Sequence, residues 1–275
     1  AERARLLAER DEAIADIQKA GKPCLAAEMG GYADLNTLCE RVQKAMAAQG
    51  FACAQDDAVH LLTLLCLCGG QLALEGPAPA DALSLCRALA AAVGAPCAFE
   101  DQNGAKRALS VQAGGDTMMF AISAAPDAQE QPYIRLLTTA CGAGYAASPY
   151  PVAYFNASDS WKVEKLPAFP PVRAESLREA VLRDAAEPPK AALKLMEDMD
   201  RQLAQSGAPL PQAVRGQIYA YLSAASVHMQ GGVAKAMDYA ACAYILPHMR
   251  ANQVPAAQMK PLMTGLPQAQ ARLER

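Results

Sequence analysis

The residues of this chain most open to a chemical reading are Gly76-Pro77-Ala78-Pro79-Ala80-Asp81-Ala82-Leu83, which follow the apolar run QLALE and precede the helical pattern LSLCRALA. A loop that grips nucleotide phosphates follows the pattern GxxxxGK[ST], and three needs explain it. Glycines let backbone N–H groups turn inward, a lysine reaches the β- and γ-phosphates, and a hydroxyl holds Mg²⁺. Here Asp81 stands at the second glycine, Ala82 at the lysine and Leu83 at the hydroxyl. Pro77 and Pro79 remove two amide donors, and Asp81 puts a carboxylate where phosphates would sit. The outline of a phosphate site is present and its three gripping functions are replaced.

No other chemistry-bearing constellation competes. The chain has no GxSxG elbow, no HExxH and no GxGxxG after a strand. Its nine cysteines are odd in number and lie mostly in apolar runs, which reads as reduced core cysteines. Cys66 and Cys68 form a close pair, but no second pair stands at zinc spacing, so no metal is expected. His60, His228 and His248 are scattered and read as solvent-facing or capping residues. Cys86, between Leu85 and Arg87 on an apolar pattern, reads as a packing residue.

The elements that must position the loop can be read from periodicity. Residues 1–20 show a charged amphipathic helix that ends at Gly21 and Pro23. A second helix starts at Asp34 as N-cap, carries Leu35, Leu38, Val42 and Met46 on one face and stops at Gly50. A third, DDAVHLLTLLCLC, has acidic residues in its first turn and ends at Gly69-Gly70. QLALEG, APCAFE, RALSVQ, TMMFAIS and PYPVAYFN read as strands, with PYIRLLTTACG as a helix among them. From Ala174 onward only helices are expected, divided by Pro and Gly, and Pro170-Pro171 marks the boundary.

Composition limits the partners. With 275 residues, 52% of them hydrophobic and 19% charged, the chain can bury a sizeable core. A net charge of −3 gives no long-range pull toward nucleic acid or anionic lipid, so direct nucleic-acid binding is disfavoured. The apolar run from Ala58 to Cys68 is too short to span a bilayer, and no signal peptide is evident before it, so a cytoplasmic location without membrane association is expected. The absence of an initial Met suits a piece of a longer polypeptide.

The segment QGFACAQDDAVHLLTLLCLCGGQLALEGPAPADALSLCRALAAAVGAP resembles part of the AAA+ ATPases of the McrB and MoxR type. There a helix ending in a GF step, a second helix and a strand lead into EGPPGTGKT and a helix ending in LAxxxG. The spacing from Gly76 through Arg87-Ala88-Leu89-Ala90 to Gly94 needs no gap. QAVRGQIYAYLSAA and AMDYAACAYILPHMR are similar to the helical lid of the same group.

The resemblance implies an α/β, P-loop NTPase-like (AAA+) three-layer core followed by an all-helical lid. The divisions would be a helical segment over 1–49, a degenerate core over 50–171 and the lid over 172–275. It also implies sensor positions at Asn156 and Arg215, with Arg173 as the loose counterpart of an arginine finger. The family's acidic Walker B pair would fall at Ile122 and Ser123 or at Phe155 and Asn156, and neither register supplies it. With Lys, Mg²⁺ hydroxyl and acidic pair all replaced, the resemblance implies a pseudo-ATPase. Its expected function is that of a non-catalytic interaction or scaffold module. The alternatives are a nucleotide-binding regulatory switch or atypical ATPase/GTPase, and a helical adaptor of other ancestry. The expected partner is a protein, either an active AAA+ ATPase or a second copy, and no cofactor is expected, ATP and GTP included.

Overall fold

The computed structural model describes residues 34–68, 71–76, 79–94, 97–99, 120–123, 134–140, 151–154, 165–170, 172 and 174–273. The helix read over residues 1–20 and the strand RALSVQ lie outside them. Asp34 caps helix α1, Leu35–Ala48, by accepting the Thr37 N–H at 2.8 Å. Leu35, Leu38, Val42 and Met46 form its buried stripe, and Gly50 ends the turn with φ of 77°. Helix α2, Gln55–Leu67, begins with Asp56 and Asp57, and Asp57 accepts the Ala54 N–H at 2.8 Å. Every residue from Ala58 to Leu65 is buried, so α2 lies inside the protein with no solvent face along that stretch.

Strand β1, Gln71–Gly76, leads into helix α3, Pro79–Ala92. Pro79 suits the first helical position, where the N–H it lacks would have no intrahelical partner. Short strands follow: β2, Cys97–Phe99; β3, Phe120–Ser123; β4, Ile134–Ala140; and β5, Val152–Tyr154. They pair in parallel in the order β2-β3-β4-β1-β5, so Leu74 of β1 lies between Thr138 of β4 and Ala153 of β5. The helix expected at PYIRLLTTACG is thus a strand over its central seven residues. Ile134, Thr138 and Thr139 are β-branched and stiff at χ1, which favours the extended chain that pairs with β1 and β3.

The remaining described elements are helical: α4, Ala174–Leu182; α5, Lys190–Gln205; α6, Gln212–Ala225; α7, Gly232–Ala240; a π-helical turn, Ala241–Ile245; α8, Leu246–Ala251; α9, Ala256–Leu262; and α10, Pro267–Leu273.

The expectation of an α/β, P-loop NTPase-like three-layer core is therefore corrected. Helix occupies most of the described residues. Within the strands, the described buried side chains are those of Leu72 and of the adjacent Val152 and Ala153. Helix α3 runs against β1, β2, β3 and β4, and β5 meets the π-helical turn, whereas α1, α2 and α4 to α7 pack mainly on one another and on α3. Among the described residues, one continuous hydrophobic cluster extends from Leu35 to Ala269, and most of its side chains are helical. The physical reason is the alanine content of the helices. Ala88, Ala92, Ala224, Ala225 and Ala240 are all buried, and such small side chains let helices approach one another closely. Among the described residues no helix is long and apolar enough to cross a membrane.

Candidate functional site

The strand–turn–helix read as a degenerate phosphate loop is built from β1 and α3. Gly76 closes β1, and Asp81, Ala82 and Leu83 fall in the first turns of α3. Pro77 lies outside the described residues. The helix starts at Pro79, so Asp81 stands inside its first turn and not at the cap position ahead of it. A helix N-terminus carries partial positive charge that favours anions. At this one, the sequence places Asp81, Ala82 and Leu83.

The other end of α3 is pinned in place. Leu85, Leu89 and Val93 are buried, and Gly94 takes φ of 63°. The Val172 N–H donates to the Val93 carbonyl at 2.9 Å. Arg41 of α1 donates to the Pro170 carbonyl at 3.1 Å and holds its guanidinium 5.4 Å from the centre of the Phe169 ring. The 165–172 connection is thereby fastened to both α1 and α3.

Asn156 lies outside the described residues, as do Phe155 and Arg173. Ile122 and Ser123 close β3, where Ser123 lies opposite Leu137 of β4. Arg215 is in the first turn of α6 and pairs with Asp200 of α5 at 3.1 Å. Asp200 also accepts the Leu210 N–H at 2.8 Å, so the pair fastens α5 to the start of α6.

The structure also assembles a polar cluster that sequence reading missed. His60, expected to face solvent or to cap a helix, is buried in α2 with 4% exposure. Its Nδ1 lies 2.6 Å from the Tyr221 hydroxyl of α6, and its ring packs on Tyr239 of α7 at a centroid distance of 4.5 Å. The Tyr239 hydroxyl donates to Asp57, and Asp56 accepts the Gln230 N–H at 2.7 Å. Tyr244, in the π-helical turn, places its ring 5.9 Å from that of Tyr221.

Burial lowers the His60 pKa to about 3, with Arg272 adding to the effect, so the imidazole is neutral at physiological pH. Burial likewise raises the pKa of Tyr221, Tyr239 and Tyr244, and the Asp57 hydrogen bond and charge reinforce it at Tyr239. These groups tie α2 to α6 and α7.

The other two histidines have structural partners. An Nε2–H on His228 reaches the Val181 carbonyl at 3.3 Å, and one on His248 reaches the Ala208 carbonyl at 3.2 Å. Burial pushes the thiols of Cys39, Cys53, Cys66 and Cys242 up to about 12, where they are poor nucleophiles at neutral pH. Among the described residues, no group of three or more His, Cys, Asp or Glu side chains is placed to hold a metal ion. An open surface depression on α4 is lined by Glu175, Arg178, Glu179, Leu182 and Arg183, where opposite charges alternate. Comparison with protein-family models, with curated proteins and with solved structures finds no match to this chain.

Proposed function

We propose that the chain is a non-catalytic interaction or scaffold module whose AAA+-like strand–turn–helix no longer turns over nucleotide. One observation carries the reading: Asp81, Ala82 and Leu83 occupy the first turns of the helix that follows Gly76, at the positions of the second glycine, the lysine and the hydroxyl. The proposal concerns this unit and involves no three-layer core. Ala82 cannot neutralise a γ-phosphate, Leu83 cannot ligate Mg²⁺, and Asp81 repels the phosphates. The partner is a protein, either an active AAA+ ATPase or a second copy of this chain. The setting is the cytoplasm, in keeping with the free thiols of Cys39, Cys53, Cys66, Cys68 and Cys242.

Calorimetric titration with ATP, ADP and GTP, beside a Mg²⁺-dependent phosphate-release assay, tests this reading. No binding at millimolar nucleotide and no hydrolysis are expected, since losing a group that stabilises transition-state charge costs on the order of 10²-fold in rate. The triple change Asp81→Gly, Ala82→Lys and Leu83→Thr should also stay inactive, because no acidic pair accompanies it. Micromolar binding would favour a nucleotide-regulated switch, and turnover by the unmodified chain would sink the proposal.

A further inference from the structure

We propose that Asp56, Asp57 and His60 form a polar latch that controls the local opening of α6 and α7 away from α2. The three side chains occupy positions i, i+1 and i+4 at the start of one helix, and each engages a different part of the facing pair. His60 holds α6 through the Tyr221 hydroxyl at 2.6 Å. Asp56 holds the connection after α6 through the Gln230 N–H at 2.7 Å. Asp57 holds α7 through the Tyr239 hydroxyl, whose ring also lies on the His60 ring.

Most of the rest of α2 is apolar, with Val59, Leu61, Leu62, Leu64 and Leu65 buried in the common core, and the Thr63 hydroxyl donates to the Val59 carbonyl within the helix itself. Apolar contact is non-directional, whereas a hydrogen bond holds in one arrangement only; the His60–Tyr221 tie is buried, the Asp57–Tyr239 tie part-buried and the Asp56–Gln230 tie exposed. Three directional ties from α2 to α6, α7 and the connection between them thus converge on one turn of α2. Breaking them leaves only apolar contact between α2 and the pair, while the apolar contacts between α6 and α7 persist. The pair then opens as a unit, at a free energy below that of global unfolding. This inference goes beyond the nucleotide reading and does not rest on it.

Hydrogen exchange followed by mass spectrometry on the full chain tests the latch. The double variant Asp56→Ala, Tyr239→Phe should accelerate exchange across 221–240 by about tenfold, because two directional contacts are lost, while α1 exchanges at the wild-type rate. Asp56→Asn, which keeps a side-chain acceptor, should stay close to wild type. Leu38→Ala, a core truncation in α1, supplies the pattern of general destabilisation. Equal acceleration of α1 and of 221–240 in the double variant, matching Leu38→Ala, would overturn the latch, and so would unchanged exchange at 221–240. If the double variant does not fold, Tyr239→Phe alone gives the same comparison, with about threefold acceleration expected. Adding ATP to the wild type separates the two proposals: slower exchange in the first turns of α3 counts against the nucleotide reading and leaves the latch untouched.

Discussion

His60 shows how far the chemistry of a single residue depends on partners remote in sequence. Its pKa falls from 6.5 to about 3, with burial as the main cause. Between those values the unfolded chain binds a proton that the folded chain does not, so this residue makes stability fall as pH drops through that window. Stability is unaffected by His60 above about pH 6.5 and declines by about 1.4 kcal/mol per pH unit at its steepest. Urea unfolding at pH 7.5 and 5.5 should therefore differ by about 1.4 kcal/mol in the wild type. His60→Gln should lose most of that difference, and an equal slope in the variant would assign the pH dependence to other groups.

The sequence made the acidic first turn of α2 legible, but Tyr221 and Tyr239 are 161 and 179 residues from His60, and no local pattern announces such a meeting. Arg215 was legible as a residue at a helix start. Its partner Asp200 lies 15 positions earlier on a different helix, so the pairing depends on how α5 and α6 pack.

Elements were most legible where capping chemistry is local. Asp34 and Gly50 bracket α1 as their residue types require, and the Asp56-Asp57 pair marks the start of α2. β4 was misread because IRLLTTA has an apolar spacing that fits either period over seven residues, and pairing with β1 and β3 decides the outcome. The run VAKAMDYAACAYILPHM reads as one helix, yet five residues inside it form a π-helical turn, for which sequence periodicity has no signature.

Gly94 offers a test at this scale. A Cβ there would lie 2.7 Å from the Phe169 oxygen and from the Pro170 carbonyl atoms, in addition to the strain of φ at 63°. Gly207 has a similar φ of 77° but nothing within 4 Å. Gly207→Ala should cost about 1 kcal/mol from backbone strain alone, and Gly94→Ala at least about 2 kcal/mol, read by chemical denaturation. Equal costs at the two sites would mean that the Phe169–Pro170 segment moves aside freely.

At the scale of the whole molecule, the apolar stripes of the helices were visible in the sequence, and the way they close into a core was not. Ala-rich helices with more than one buried face can pack on a sheet or on each other, and the sequence leaves that choice to tertiary contact. Here α2 packs on α1, α4 and α6, while the π-helical turn packs on β5, so contacts cross residues 171–172 in several places. Asp238, buried at 1% exposure, accepts the N–H groups of Gln268 and Ala269 at 3.0 Å each and fastens α10 to the same core. Among the described residues the cluster is continuous, with no seam along which one half can keep its own core while the other melts. Calorimetry should therefore show a single unfolding transition with equal calorimetric and van't Hoff enthalpies. Asp238→Ala should move that transition downward as a whole, by about 1–3 kcal/mol of stability for the two amides left without their acceptor. Two resolved transitions, with only the upper or the lower one displaced by Asp238→Ala, would instead divide the chain into separately cored units.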